Sequence, residues 1–175
     1  NNYIVSVDWS NANEIYLQHF NRLQNTLQVL VADARNGKVR SILTEKDDAW
    51  VDLTLPEMRW LGGGKRFLWV SERDGWRRPY SVAADGTDLK PLTKGAFDAM
   101  SIQSIDETGG FVYYIASPDN ATQRYLYRSR LDGSGTDERV TLAEFKGWNN
   151  YNFSPNSKWA VQSSSSFGQP SQINL

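Results

Sequence analysis

Val7-Asp8-Trp9-Ser10-Asn11-Ala12-Asn13 joins a short strand to a turn, and the same arrangement recurs three more times along the chain. Asn, Gly, Asp, Ser and Pro build each turn, and these residues tolerate or favour turn geometry. The further segments are Met58-Arg59-Trp60-Leu61-Gly62-Gly63-Gly64, Gln103-Ser104-Ile105-Asp106-Glu107-Thr108-Gly109 and Asn152-Phe153-Ser154-Pro155-Asn156-Ser157-Lys158. Such a repeat predicts an architecture built from similar structural units.

Each unit continues with the same order of strands. A strand rich in β-branched and aromatic residues follows each turn, at Ile15 to Phe20, Phe67 to Ser71, Phe111 to Ala116 and Trp159 to Ser163. A third strand ends at Asn36-Gly37, Asp85-Gly86 or Asp132-Gly133, and such dipeptides are clear hairpin signals. A fourth strand closes three of the units, at Ser41 to Thr44, Lys90 to Thr93 and Arg139 to Leu142.

The length of the repeat selects the fold. The anchors Trp9, Trp60, Ile105 and Phe153 recur at intervals of 45 to 51 residues. Four antiparallel strands at this period are typical of a propeller blade, whereas a β-sandwich, the alternative, does not need the same strand order four times. The sequence therefore predicts an all-β fold, a partial β-propeller of three to four four-stranded blades, with at most short helical turns, for instance at Gly95 to Ala99. The expected blades are residues 3–48, 49–98, 99–147 and a partial 148–175.

The fourth unit lacks its last strand, and the chain begins without Met at Asn1. We therefore expect one propeller fragment, residues 1–175, excised from a longer protein. An interrupted ring exposes apolar blade faces that can associate, so we expect a homo-oligomer with contacts near Tyr3 to Val7 and Trp159 to Leu175. A monomer is the alternative, because the strand at Ser163 to Ser166 is polar.

Composition excludes several kinds of function. With 19 Lys and Arg against 20 Asp and Glu, the net charge of -1 favours no nucleic acid partner. The chain has no cysteine, His19 is its single histidine, and no apolar run is long enough to span a membrane. We expect no cofactor, no metal and no catalytic residue in this chain.

Four local patterns suggest chemistry, and each has a simpler explanation. Gly62-Gly63-Gly64-Lys65 lacks the Ser or Thr and the helix of a phosphate loop, so a hairpin turn is favoured. The cluster Arg73, Trp76, Arg77 and Arg78 could stack on single-stranded nucleic acid, but a solvated loop with a salt-bridged Arg is favoured. Ser163 to Ser166 has no base to activate it and suggests a polar hairpin. Asp47 and Asp48 are expected to cap a loop between blades.

An ordered set of motifs is similar to one known family. It begins with Asn21-Arg22-Leu23-Gln24-Asn25 and continues with Trp50-Val51-Asp52-Leu53 and Trp69-Val70-Ser71-Glu72-Arg73-Asp74-Gly75-Trp76. Leu92-Thr93-Lys94-Gly95 and Ala116-Ser117-Pro118-Asp119-Asn120 follow in order. The chain resembles the dipeptidyl peptidase IV N-terminal region of the prolyl oligopeptidase family of serine peptidases over nearly its whole length.

The resemblance implies a function for the parent protein. It implies an eight-bladed propeller over a C-terminal α/β-hydrolase domain that removes dipeptides from peptides with Pro or Ala second, at the cell surface or in the periplasm. The catalytic triad lies outside the matched region, so this chain alone is expected to be inactive. It places Trp50 and Asp52 at the rim of the substrate pocket and gives structural roles to Asn21, Arg22, Gln24, Asn25, Glu72, Arg73 and Asp74. Some members carry an Arg after the Trp-Val pair, where Asp52, Leu53, Thr54 and Leu55 stand here.

Two hypotheses about function follow. In the first, the chain is the part of a serine dipeptidyl peptidase that gates and orients the substrate. In the second, it is a non-enzymatic propeller that binds protein or glycan ligands. A continuation of the parent gene into a Gly-x-Ser-x-Gly motif followed by Asp and His distinguishes the first from the second.

Overall fold

The computed structural model describes residues 2–52 and 58–175, and within these ranges the chain forms strands and no helix. The first two sheets contain β1 (Asn2–Asn11), β2 (Glu14–Asn21), β3 (Thr26–Asp33), β4 (Val39–Lys46), β5 (Arg59–Leu61), β6 (Arg66–Ser71), β7 (Arg78–Ala83) and β8 (Lys90–Pro91). The other two contain β9 (Ser101–Asp106), β10 (Phe111–Ala116), β11 (Tyr125–Arg130), β12 (Glu138–Arg139), β13 (Trp148–Phe153), β14 (Ala160–Ser166) and β15 (Gln169–Asn174).

The strands form three four-stranded sheets and one three-stranded sheet, each in sequential order along the chain. The pairings are antiparallel, as in the ladder of Phe111 with Arg130 through Ala116 with Tyr125. The predicted all-β class is confirmed. By packing, the chain divides into two compact units, Asn1–Gly75 with Tyr80–Leu89 and Trp76–Pro79 with Lys90–Leu175. The expected blade boundaries stay a prediction.

Alternation of side chains explains why these segments form strands. In β2, Tyr16, Gln18 and Phe20 are buried while the residues between them are half-buried. The side chains of a strand point alternately to its two faces, so the three buried residues lie on the same face of the sheet. In the first unit, Trp60 packs edge-on against Tyr16 and Phe67 at centroid distances of 6.2 and 5.4 Å.

Side chains end two of the closing strands earlier than expected. β12 ends at Arg139, where the Thr141 hydroxyl oxygen accepts the Leu126 N–H at 2.7 Å and thereby replaces a main-chain acceptor. β8 ends at Pro91: Leu92 N–H still donates to the Pro79 carbonyl of β7 at 2.9 Å, but Pro79 has no N–H to return the hydrogen bond. Side-chain acceptors and proline therefore shorten strands that sequence alternation alone prolongs.

Two other local expectations concern turns. No helical turn forms at residues 95–99: residues 95–97 form bends, and the Asp137 Oδ2 atom accepts the N–H groups of Lys94 and Gly95 at 3.0 and 2.9 Å. Ser163 to Ser166 end β14, with Ser164 buried, and form one arm of the expected polar hairpin, whose turn lies at Phe167 and Gly168.

Asp137 also organises buried hydroxyls in the second unit. Its Oδ1 atom accepts hydrogen bonds from Ser129 Oγ at 2.7 Å and from the Tyr114 hydroxyl at 3.1 Å. Tyr114 is fully buried and stacks with Phe97 and Tyr127 at centroid distances of 6.4 and 6.2 Å. Burial raises the pKa of Tyr114 well above its ordinary value of 10.0, and it also raises the pKa values of Tyr127 and Tyr151.

Because the pKa of Tyr114 is raised by burial, we expect the folded chain to lose stability in alkali. Above pH 10 the unfolded chain ionises its tyrosines, whereas the folded chain keeps Tyr114 neutral, so the free energy of unfolding falls as the pH rises further. Ultraviolet titration of tyrosinate is expected to show one class that ionises only on unfolding. In Tyr114→Phe the alkaline fall is expected to be shallower. Ionisation of Tyr114 in the intact fold near pH 10 would contradict this.

Apolar side chains are exposed on two of the sheets. Tyr3, Ile4, Val7 and Trp9 lie exposed on β1, and in the last sheet Trp159, Val161 and Ile173 are exposed. The self-association expected from the sequence stays a prediction.

In the described part of the chain, no helix is long and apolar enough to cross a membrane.

Candidate functional site

The first motif forms a closed polar turn between β2 and β3. The Asn21 Oδ1 atom accepts the N–H groups of Asn25 and Thr26, each at 3.2 Å, and Asn21 Nδ2 donates to Asn25 Oδ1 at 2.7 Å. Gln24 adopts a left-handed backbone with φ of 56° and donates its N–H to the Asn21 carbonyl at 3.1 Å. Arg22 is exposed on this turn. The motif residues therefore fix the backbone of the hairpin.

The loop that carries Trp50 is fastened to this turn. Val51 N–H donates to the Gln24 carbonyl at 2.8 Å, and Asp47 N–H donates to the Asn25 carbonyl at 3.1 Å. Asp47 Oδ1 in turn accepts the N–H groups of Ala49 and Trp50 at 2.7 and 3.2 Å, which confirms its capping role. We call Asn21–Asn25 together with Asp47–Asp52 the rim.

The two expected pocket residues of the rim, Trp50 and Asp52, are exposed to solvent. The Trp50 side chain is 66% exposed, and Asp52 is exposed as well. Trp is highly buried on average in folded proteins, so this exposure leaves an indole surface accessible to a ligand or a neighbouring domain. The structure thus brings together the first motif and the expected pocket residues, while Leu53, Thr54 and Leu55 lie outside the described residues.

A buried carboxylate lies immediately before the rim, in β4. Glu45 Oε1 accepts the Trp69 Nε1–H at 2.8 Å and pairs with the Arg73 guanidinium, and Glu45 Oε2 accepts the Ser71 hydroxyl at 3.0 Å. The Glu45 side chain is only 9% exposed. Charged hydrogen bonds of this kind are stronger than neutral ones. We call Glu45, Trp69, Ser71 and Arg73 the Glu45 clasp.

The spacing of the third motif explains the clasp. Trp69 and Ser71 lie two apart on β6, so they project from one face of the strand. Ser71 Oγ accepts the N–H and the Nε–H of Arg73 at 3.2 and 3.1 Å, and the guanidinium lies 5.6 Å from the centre of the Tyr80 ring. Glu72 and Asp74 are exposed, and Glu72 contributes its carbonyl to a turn with Gly75 at 2.9 Å.

Sequence reasoning missed Glu45. A signal was available, because Glu45 follows Leu43 at the period of a strand whose inward face is apolar. A carboxylate at such a position requires buried donors, since an unpaired buried charge is very costly.

The other candidate motifs do not form a chemical site. A salt-bridged Arg was expected in the cluster of Arg73, Trp76, Arg77 and Arg78, and Arg73 forms such a pair with Glu45. Arg78 is not solvated, because it is buried in β7 and donates to the Thr93 carbonyl at 3.0 Å. His19 is half-buried in β2. Gly62 to Gly64 form the predicted turn, closed by Gly64 N–H to the Leu61 carbonyl at 3.1 Å. Among residues 2–52 and 58–175, no cluster of three or more His, Cys, Asp or Glu could hold a metal ion.

The sequence is similar to a known family and to individual proteins. The model of the dipeptidyl peptidase IV N-terminal region matches residues 1–171. A probable dipeptidyl peptidase 4 of Aspergillus flavus is 32% identical over 116 residues, which are 62% of this chain and 15% of that protein. The corresponding protein of Emericella nidulans is 31% identical over 124 residues, or 65% of this chain and 16% of its own length.

Solved structures share the fold. The crystal structure of Porphyromonas gingivalis dipeptidyl peptidase 4 matches with a TM-score of 0.85 and 25% identity, covering 98% of this chain and 24% of that one. A putative dipeptidyl aminopeptidase IV of Bacteroides ovatus matches with a TM-score of 0.82 and 18% identity, covering 99% of this chain and 27% of that one. The chain therefore spans about a quarter of these solved chains. With a partial β-propeller fold and a family match over residues 1–171, the chain belongs to the dipeptidyl peptidase IV N-terminal region family.

Proposed function

We propose that this chain is the non-catalytic, substrate-orienting propeller segment of a serine dipeptidyl peptidase. The parent enzyme is an aminopeptidase of the periplasm or cell surface that releases dipeptides from peptides with Pro or Ala at the second position. A separate C-terminal α/β-hydrolase domain performs the hydrolysis. The observation that carries the proposal is the rim, in which the carbonyls of Gln24 and Asn25 accept main-chain hydrogen bonds from a loop that exposes Trp50 and Asp52.

The rim has the chemistry to orient a peptide. Trp50 offers an indole surface against which an apolar peptide side chain can pack, and Asp52 offers a carboxylate to a cationic group. A contact between exposed charges contributes at most about 1 kcal/mol, so Asp52 acts on orientation more than on affinity. The Glu45 clasp supports this arrangement, because Glu45 lies only two residues before the capping residue Asp47 and is anchored by Trp69.

Catalysis has to come from outside this chain. A serine hydrolase needs a nucleophile within hydrogen-bond reach of a base that a third group orients. His19 is the single histidine and lies half-buried in β2, and no serine of the sequence stands in a Gly-x-Ser-x-Gly motif. The propeller segment is thus suited to selecting and orienting peptides.

The experiment compares the full-length parent protein with the 175-residue chain, using a chromogenic Gly-Pro dipeptide amide. We expect turnover by the parent and none above buffer by the chain alone. In the parent, Trp50→Ala is expected to raise KM about threefold to tenfold with little change in kcat, because it removes binding shared by substrate and transition state.

Trp9→Ala is the matched control, since Trp9 is 57% exposed on β1 and lies outside the rim. An inactive parent, or turnover by the chain alone that His19→Ala abolishes, would overturn the proposed function. Equal KM values for Trp50→Ala and Trp9→Ala would remove Trp50 from the pocket.

A further inference from the structure

An open cleft of about 600 Å³ lies in the second unit, remote in sequence from the rim. Three segments line it: the loop before β11, the start of β13 and the hairpin after β14, which contribute Gln123, Trp148 and Phe167 among others. Its volume is within the range of sites that bind small molecules and short peptides, roughly 300 to 1,000 Å³.

The floor of the cleft is preorganised. Gly147 has a φ of +94°, and a Cβ atom there would lie 2.3 Å from the Ser165 carbonyl oxygen. Arg124 N–H donates to the Gly147 carbonyl at 2.9 Å, and the buried Asn149 side chain donates to the Arg124 carbonyl at 2.9 Å. The close approach and these hydrogen bonds hold the three segments in one arrangement.

A β-bulge lies at the same place. Ser165 is paired with Trp148 on β13, but the register between β14 and β15 shifts between Ser164 and Ser166. Bulges occur often beside binding sites, where they redirect a side chain and end the pairing of strands. Here the bulge places half-buried Ser165 in the wall of the cleft.

The charges at the cleft have one sign. The exposed Lys146 is the single charged residue among the eight that line the cleft, and none of the eight is acidic. The Arg124 guanidinium lies 3.7 Å from the centre of the Trp148 ring, so a second positive charge stands beside the aromatic wall. Trp148 is 50% exposed and Phe167 is fully exposed, which leaves two aromatic surfaces for an apolar group.

From this combination we infer that the cleft binds a peptide through a carboxylate and an adjacent apolar side chain. Lys146 and the Ser165 hydroxyl receive the carboxylate, and Trp148 and Phe167 receive the side chain. A phosphate would be better served by a helix N-terminus or a bidentate arginine aimed at it, and the lining offers a single lysine instead. The ligand carboxylate comes either from a peptide C-terminus or from an acidic side chain.

Calorimetric titration of the 175-residue chain tests this inference, because it needs no activity of the parent. The probes are acetyl-Ala-Phe with a free carboxylate, its C-terminal amide, and an amidated acetyl-Ala-Glu-Phe peptide. We expect the free acid to bind and the first amide to bind about tenfold more weakly, because the charged contact is lost. Binding of the Glu-containing amide at the strength of the free acid would assign the carboxylate to a side chain, and its absence would assign it to the C-terminus.

Variants locate the site. Lys146→Gln and Trp148→Ala are each expected to weaken binding of the free acid about fivefold to tenfold. Lys158→Gln and Trp159→Ala are the matched controls, since both residues are exposed and lie outside the lining. Unchanged circular dichroism of every variant excludes unfolding as the cause.

Three outcomes overturn the inference: no binding of any peptide at millimolar concentration, equal affinity for acid and amide, or equal losses in the cleft and control variants. Tighter binding of adenosine monophosphate than of the free-acid peptide would assign the cleft to phosphate ligands and would likewise overturn it.

Discussion

Replacing Glu45 by Ala is expected to lower the free energy of unfolding of the chain by about 3 to 4 kcal/mol. The substitution leaves the Trp69 indole N–H, the Ser71 hydroxyl and the Arg73 guanidinium without their shared acceptor. The loss is large because the buried Trp69 and Ser71 donors lose their acceptor and the partly buried Arg73 guanidinium loses its counter-charge. Urea unfolding followed by tryptophan fluorescence measures the change.

Glu72→Ala provides the matched control, because Glu72 is an exposed carboxylate in the same segment. Its effect is expected to stay within about 0.5 kcal/mol. Arg73→Gln is expected to fall between the two, since Glu45 keeps the hydrogen bonds from Trp69 and Ser71 when the guanidinium is removed. A loss for Glu45→Ala no larger than that for Glu72→Ala would contradict the role given to the clasp.

Among Gly→Ala substitutions in the first unit, Gly86→Ala is expected to lower the free energy of unfolding most. Gly86 has a φ of +88° in the turn after β7, and its Cβ would lie 1.6 Å from the Ile42 carbonyl oxygen of β4. The position of a Cβ atom is fixed by the backbone, and the Ile42 oxygen belongs to the main chain. Rotation of a side chain therefore cannot relieve the clash. We expect a melting temperature lower by roughly 10 °C, corresponding to a loss of about 3 kcal/mol or more.

The matched control is Gly63→Ala. Gly63 also has a positive φ, +66°, but a Cβ there would meet nothing within 4 Å. This variant carries the backbone strain without the clash and is expected to lose about 1 to 2 kcal/mol. Equal losses in the two variants would show that strain, and not the approach of the turn to Ile42, dominates at Gly86.

Local patterns made most of the fold predictable. Strand alternation and the turn dipeptides depend on neighbouring residues, so β10, for example, lies at its predicted bounds of Phe111–Ala116. The lengths of β8 and β12 were less predictable. Thr141 forms its hydrogen bond with Leu126, which lies 15 residues away, and no local pattern announces such a contact.

The site was predictable in part for the same reason. The turn at Asn21 and the cap at Asp47 are local structures, and their residue types indicate them. Glu45 and its donors are separated by 24 to 28 residues, and the cleft assembles three distant segments. A single sequence contains the residues of such sites but does not state which of them meet.

The attachment of the rim loop has a consequence for how its specificity can change. Asp47 and Val51 are held through their main-chain N–H groups by carbonyls of the neighbouring turn, whereas the side chains of Trp50 and Asp52 are exposed to solvent. Mutations at these two positions are therefore nearly free of a folding penalty. A lineage can replace them one at a time without first acquiring compensating stability, so the surface of the rim can change while its main-chain frame stays the same.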